Sequence, residues 1–517
     1  MALSRTLSVA LVGTHAHVVE VEVDVATGLP HFTLTALSDS VLKQVEHRVR
    51  SAVVNSGETW PNRKTTVALS PAMVPKRGSA FDLAIAATLL AASESLPVGA
   101  LRDVVVLGEL SLDGSVKPVT GVLPAVIGAF RQGHRRFVVP RANAGEAALV
   151  REAEVTAVSS LRELCGWLRG QLVPDSPPPP SPPSIPDAGE WPDFADVAGQ
   201  ERGRRAMEIA AAGGHHVLLT GAPGVGKTML AARLPGILPD LTDDEALEVT
   251  GLHSIAGRLE PGRPLIVRPP FIAPHHTATF ASVVGGGSGI AAPGAISLAH
   301  RGVLFLDEAP EFGGRVIDSL RQPLEAGSIT LSRAGGIATY PARFLLVLAA
   351  NPCACTGGAR ASAGRGCECS GAQLQRYKSR LSGPFRDRVD VVVTLDDVSP
   401  AMLRESLLGE STAAVRARVE AARASARERL RGTPWATTAE VPGPVLRRRW
   451  APPRHLMRLI EADFDRGTLS NRGVDRVLKL AWTLADLAGG DVGADEIDEA
   501  LSLRHGSRVV RPHAVPA

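Results

Sequence analysis

The sequence is short of charge of one sign, of long hydrophobic runs and of cysteine, and each shortage excludes something. Its 56 Lys and Arg nearly balance 53 Asp and Glu over 517 residues, for a formal net charge of +3. No chain-wide field therefore draws it to nucleic acid or a lipid surface, and any grip on phosphates has to be local. No stretch reaches the ~18 uninterrupted apolar residues of a membrane-spanning helix. The first residues, MALSRTLSVALVGTHAH, carry one Arg and a broken apolar stretch that runs straight into an alternating strand pattern. They read as structure and not as a signal peptide, so a cytoplasmic protein without a membrane partner is expected. Five cysteines, four of them within residues 353–369, suit a reducing compartment and a metal site better than a disulfide framework.

What is there begins with GAPGVGKT at 221–228, between a short apolar run and a resumed helical pattern. This fits the phosphate-binding loop of nucleotide hydrolases. Gly221, Gly224 and Gly226, with Ala222, Pro223 and Val225 between them, let backbone N–H groups close around phosphates, and the helix that follows adds a partial positive charge. Lys227 is spaced to reach the terminal phosphates and the Thr228 hydroxyl to ligand Mg²⁺. Downstream, the apolar run Gly302–Leu306 delivers Asp307 and Glu308. One carboxylate serves a metal shell and the other polarises the attacking water, so ATP-type hydrolysis is expected. A further apolar strand, Phe344–Ala350, ends in Asn351, an amide suited to orienting that water.

At roughly 150 residues per domain, the length allows about three folded units. Residues 1–170 read as an α/β domain, with a half-buried strand over Val18–Val25, a helix from Ser38 or Asp39 to Gly57 and an Ala-rich helix over Phe81–Ala92. Residues 171–190 include PDSPPPPSPPSIPDAGE, a semi-rigid polyproline II linker. Residues 191–395 hold the phosphate loop, the cysteine cluster and a hairpin pattern with turn glycines beside Arg333. Residues 396–507 are helical, and 508–517 are expected to be a disordered tail. His275 and His276 are read as structural, because adjacent side chains usually point apart.

Cys353, Cys355, Cys367 and Cys369 form two CxC pairs. Four thiolates suit tetrahedral Zn²⁺ in a loop with almost no apolar residues of its own, unligated thiols being the alternative. Cys165 is expected in the core. Arg386 and Arg388, in SGPFRDRVDV, are candidates for an arginine inserted into a neighbouring subunit's phosphate site. Arg472, at the start of a helical segment, is a candidate to close on bound nucleotide.

Taken together, GAPGVGKTMLAARLPGILP, SLAHRGVLFLDEAPEF, LRQPLEAG, LVLAANPCAC, SGPFRDRVDV and LSNRGVDRVLKLAWTLADLAG resemble the ComM/YifB family of magnesium-chelatase-like AAA+ ATPases over nearly the whole chain. The resemblance implies an α/β fold in which a P-loop AAA+ ATPase (191–395) with a helical C-terminal lid (396–507) follows a Lon-protease-like α/β domain (1–170). It also implies a hexameric ring and ATP-driven DNA branch migration, as a helicase of homologous recombination or natural transformation. Lys227 and Thr228 match Walker A, Asp307 and Glu308 Walker B, Asn351 sensor 1, Arg388 the trans finger and Arg472 sensor 2, while Arg333 matches a DNA-contacting hairpin. Ala295, Thr356 and Trp482 depart from the family pattern, away from the nucleotide chemistry. PAMVPKRGSAFDLAIA at 71–86 and LGELSLDGSVKPVTGVLPAV at 107–126 carry the Lon-protease likeness. The nucleophile's position holds Ala80 and the lysine's falls near Leu123, so an inactive binding or assembly module is expected. Two other readings stay open: the ATPase subunit of a magnesium chelatase, and an ATP-gated assembly factor acting on proteins.

Overall fold

Alternating valines build the first layer of the computed structural model, which describes residues 2–35, 39–76, 79–97, 99–174, 192–260, 262–287, 289–353, 355, 369–397 and 409–506. Strands β1 (Ala2–Val12) and β2 (His15–Ala26) pair antiparallel from Ala2↔Val25 to Val12↔His15. Val19, Val21, Val23 and Val25 are buried, as a period of two dictates. With β3 (His31–Leu34), β4 (Lys64–Ser70), β5 (Val104–Val106), β6 (Arg136–Pro140) and β7 (Glu154–Val158) they form a mixed sheet ordered β3-β4-β2-β1-β5-β6-β7. Helices α1 (Asp39–Asn55), α2 (Asp82–Ala92) and α4 (Leu161–Leu168) share one core with β2 and β4, whereas α3 (Val122–Arg131) packs with Val9, Val105 and Phe137 on the other face. Helix α2 is buried on nearly every side, which its Ala/Leu composition permits.

The second sheet is fully parallel, ordered β9-β10-β13-β8-β14, from β8 (Val217–Thr220), β9 (Phe271–Ile272), β10 (Val303–Leu306), β13 (Leu345–Ala350) and β14 (Val391–Thr394). Every residue of β10 and β13 is buried, the continuous apolar run expected of a parallel strand covered on both faces. Helix α5 (Glu201–Gly213) leads into β8, α6 (Lys227–Ile237) and α7 (Asp243–Ile255) lie between β8 and β9, and α8 (Phe280–Val284) sits in the segment between β9 and β10. Strands β11 (Ser328–Arg333) and β12 (Gly336–Pro341) form a hairpin ahead of β13, with Ile329, Leu331, Ala338 and Tyr340 buried. Beyond β14, α9 (Thr412–Arg429), α10 (Arg454–Asp465), α11 (Asn471–Ala488) and α12 (Ala494–His505) form the helical lid. The apolar stripe Val477, Leu478, Ala481, Leu484, Ala485 of α11 enters the same core as α5, α6 and α9.

The two α/β units touch at named points. Ser254, near the end of α7, donates to the buried Glu146 carboxylate at 2.6 Å and its carbonyl accepts from Gly121 N at 3.1 Å. Glu146 also accepts from Leu123 N at 3.2 Å and Asn143 Nδ2 at 2.5 Å, and burial raises its pKa against these bonds. Next to the hairpin, Gly13 stands so close to β12 that a Cβ there would lie 2.8 Å from the Thr339 carbonyl. Most of the 171–190 linker, Cys367 and the 508–517 tail lie outside the described residues.

Candidate functional site

The carboxyl ends of β8, β10 and β13 deliver the candidate nucleotide groups to one edge of the parallel sheet. After β8 the chain turns through Gly224 (φ 85°) and Gly226 (φ 96°), left-handed conformations that favour glycine. Helix α6 starts at Lys227, so its unpaired N–H groups face the loop. Lys227 is buried, and its ammonium donates to the carbonyls of Gly221 and Ala222, both at 2.8 Å, and to Asn351 Oδ1 at 3.0 Å. Burial pushes its pKa down, partly offset by Asp307 and Glu308. Thr228 Oγ1 donates to Asp307 Oδ2 at 2.8 Å across 79 residues of sequence.

A desolvated ammonium bonded to carbonyls, above a glycine-lined turn, fits a phosphate, which would replace those neutral acceptors with charged ones. The Thr228 hydroxyl and Asp307 carboxylate are hard oxygen donors of the kind Mg²⁺ takes. Lys227, Thr228, Asp307 and Asn351 are thus brought together, with Glu308 beside them.

Glu308 has a left-handed backbone (φ 51°), rare for a residue with a Cβ, and its side chain is 49% exposed. Its carboxylate turns to His276, whose Nδ1 lies 3.1 Å from Oε2. The ring of His276 also lies against that of His275, with centroids 4.2 Å apart. His276 was set aside as structural on sequence grounds. The missed signal is its place: β9 pairs with β10 through Phe271↔Val303, so a residue just past β9 arrives beside one just past β10.

The amino ends of the same strands hold the other candidates. Val217 on β8 faces Val391 on β14 in parallel register, so Arg388 lies at the opposite end of the sheet from the phosphate loop, beyond a four-residue strand about 13 Å long. Arg388 is buried, donates to the Pro384 carbonyl at 2.6 Å, and pairs with Glu325. Arg472 approaches the same Glu325 at 4.0 Å, on the Arg388 side and away from its own phosphate loop. Next to them, Asp390 is fully buried; it accepts from Arg476 at 2.7 Å and from His216 N at 2.9 Å. Burial alone would raise its pKa, yet Arg476, His215 and His216 hold it well below the usual carboxylate range. A cleft of 620 Å³ opens at this end, with Glu325, Arg476 and Lys479 among its walls.

Two residues past Asn351, Cys353 and Cys355 bring their sulfurs to 3.1 Å, and with Cys369 the three Sγ atoms lie within 4.8 Å of one another. Soft thiolates so grouped fit a metal such as Zn²⁺. Arg333 ends β11 and is exposed; a Cβ on Gly286 would lie 3.5 Å from its Nη2. Cys165 is buried, which pushes its thiol up to about 12. In the N-terminal unit, the position of a Lon-type nucleophile holds Ala80 and Leu123 is buried hydrocarbon. The nearby Lys76 ammonium is tied to the carbonyls of Pro71 at 2.5 Å and Val74 at 3.1 Å.

Models of magnesium chelatase subunit ChlI match residues 193–403 and 21–143, and a model of its C-terminal part matches 409–504. The chain is 50% identical over 512 residues to an uncharacterised protein of Mycobacterium tuberculosis, covering 98% of this chain and 99% of that one. It is 40% identical to YifB of Escherichia coli over 514 residues (98% and 97%), and 38% identical to the competence protein ComM of Haemophilus influenzae over 508 (98% of each). A 135-residue match at 27% identity, 25% of this chain and 16% of the relative, is to Lon protease 2 of Thermus thermophilus. No helix among the described residues is long and apolar enough to cross a membrane.

Proposed function

The chain belongs to the ComM/YifB family of magnesium-chelatase-like AAA+ proteins, and on that premise we propose that it is an ATP-hydrolysing motor. In this reading it acts in the cytoplasm as a homo-oligomeric ring of six and moves branched DNA in homologous recombination or natural transformation. The observation that carries the reading is the division of charged groups between the two ends of one parallel sheet. Lys227, Thr228, Asp307, Glu308 and Asn351 share one end, while Arg388 and Arg472 share Glu325 at the other. An arginine finger that cannot reach its own phosphates serves a neighbour's, and a closed ring lets every subunit do so. On this geometry Arg472 acts beside Arg388 on the neighbour's nucleotide.

The loop 221–226 and Lys227 would cradle the phosphates, and Thr228 and Asp307 would hold Mg²⁺, which neutralises phosphate charge when bound. Glu308 accepts a proton from the water that attacks the γ-phosphorus as the bond to the β–γ bridging oxygen breaks, and Asn351 orients that water. Arg333 on the exposed hairpin end supplies the local phosphate contact that a chain of net charge +3 requires. Cys353, Cys355, Cys367 and Cys369 would hold a structural Zn²⁺ that folds the loop beyond Asn351. Metal analysis should find one zinc per chain; finding none would remove that part.

The competence name of the Haemophilus relative supports DNA as the substrate. The chelatase subunit models favour a second reading, a motor for metal insertion. The deciding experiment is steady-state ATP turnover without DNA, with linear duplex and with a four-way junction, Glu308→Gln serving as the inactive control. Strong stimulation by the junction supports the DNA motor. Turnover indifferent to every DNA overturns that part and moves the substrate to a metal-insertion or protein partner.

A further inference from the structure

We propose that the cleft between the amino ends of the parallel strands and the helical lid is a second anion site, which takes a phosphate group without Mg²⁺, either free or as a small phosphomonoester. The proposal goes beyond the ATPase reading and does not need it. The cleft measures 620 Å³, within the range of small-molecule sites. One wall is the segment ahead of β13 with the turn between α6 and α7, and the other is α9, α11 and residues 434–442. Arg388 and Arg472, assigned above to a neighbour's nucleotide, are not among these walls.

The carboxylates of the cleft are already committed. Asp240 faces Arg416 at 3.0 Å, Glu245 faces Arg301 at 3.1 Å and Glu325 pairs with Arg388. Glu440 accepts from Ala436 N at 2.7 Å, and Arg476 is held by Asp390. Arg343, Arg423, Arg427 and Lys479 remain, with no carboxylate in ion-pair reach among the described residues. The buried Lys479 ammonium donates to the Ala439 carbonyl at 2.6 Å, and Arg423 Nε to that of Ala211 at 2.9 Å. The side chains of Arg343 and Arg427 are exposed and make no hydrogen bond to the described residues. Burial pushes Lys479 down to about 8 and Arg423 down to about 10. Lys227 shows the same pattern above the phosphate loop, a desolvated cation bonded to neutral carbonyls. An anion supplies the charged acceptor that such groups lack. The half-buried Trp435 stands in the same wall, an aromatic side chain against which the organic part of a phosphomonoester can pack. Mg²⁺ takes hard oxygens, and here each carboxylate already serves an arginine or a backbone N–H. The cleft therefore suits a phosphate that arrives without its metal, unlike the loop beside Thr228 and Asp307.

The test is calorimetric titration of the full chain with phenyl phosphate and with inorganic phosphate, in the presence of a chelator. Lys227→Ala protein is used so that the phosphate loop contributes no heat, and Lys479→Met or Arg423→Gln is then added to it. One ligand should bind per chain, and each added substitution should weaken binding about tenfold, the loss of one charge-assisted hydrogen bond. Tighter binding of phenyl phosphate identifies an organic phosphomonoester as the ligand, and equal binding identifies free phosphate. No saturable binding of either probe, binding that requires Mg²⁺, or affinity indifferent to both added substitutions overturns the proposal. Should Lys479→Met and Arg423→Gln lose their cooperative melting transitions, the exposed Arg343→Gln and Arg427→Gln carry the same comparison with an expected loss of roughly threefold each. ATP turnover plays no part in this readout, so failure here leaves the ATPase reading standing.

Discussion

The two ends of the parallel sheet use charge in opposite ways. At the carboxyl end, Lys227 is bonded to the carbonyls of Gly221 and Ala222 and Thr228 to Asp307, while Glu308 lies 3.1 Å from His276. These contacts are short and local, and a triphosphate with its metal offers stronger partners for each. At the amino end, Asp390 is fully buried between Arg476 and the His216 N–H, an arrangement no ligand needs to replace. On the proposed reading the first end exchanges its partners for a nucleotide and the second keeps them. Arg388 stands between the two styles, buried like Asp390 but paired with a Glu325 side chain that is 56% exposed.

Substitutions should separate the ends in order of severity. Lys227→Ala is expected to abolish both nucleotide binding and turnover, read by a fluorescent ATP analogue and by phosphate release, while the melting temperature hardly moves. Retained turnover would mean the exchangeable end is elsewhere. Arg388→Ala should cut turnover by about 10³ and leave nucleotide affinity within roughly twofold. Mixing Arg388→Ala with Lys227→Ala subunits should restore part of the rate, because some interfaces then join an intact finger to an intact loop. No recovery at any mixing ratio would argue against action between subunits.

Asp390→Ala belongs to the other kind. It leaves the His216 N–H without its acceptor and the half-buried Arg476 without its partner, and should cost about 1–3 kcal/mol of stability, measured by denaturant unfolding. Loss of turnover without loss of stability would break the distinction.

The last effect is in pH. Burial pushes His216 down from 6.5 to about 4, so below pH 6.5 the unfolded chain takes up a proton that the folded chain refuses. Its contribution is whole above pH 6.5 and is lost as pH falls to about 4, amounting to about 3 kcal/mol. His216→Asn retains an acceptor for Leu346 N, bonded to Nδ1 at 3.1 Å, and should flatten that part of the stability profile relative to wild type. Equal slopes for both proteins would remove His216 as the cause.

Regular elements were legible because their signals are local. The alternation over Val18–Val25 corresponds to β2, the Phe81–Ala92 segment to α2, and the helical reading of 396–507 to α9 through α12. The phosphate-loop turn is legible for the same reason, its glycines and Lys227 being contiguous. His276 was not, since neighbours at sequence level say nothing of which strand ends lie side by side. The reach of Arg472 was also unreadable: a helix-start arginine has no direction until α11 is docked on α5 and α9.

Sequence alone therefore determined the element types, the phosphate loop, the acidic strand end and the thiol cluster, all of which follow from residue spacing within one segment. Tertiary structure decided which end of the sheet each charge occupies, that Glu308 meets His276, that Arg388 and Arg472 share Glu325, and that Glu146 joins the two α/β units through Ser254. The physical reason is strand order. Parallel strands joined by long crossovers set residues far apart in sequence side by side, and only the register of the sheet fixes which ones meet.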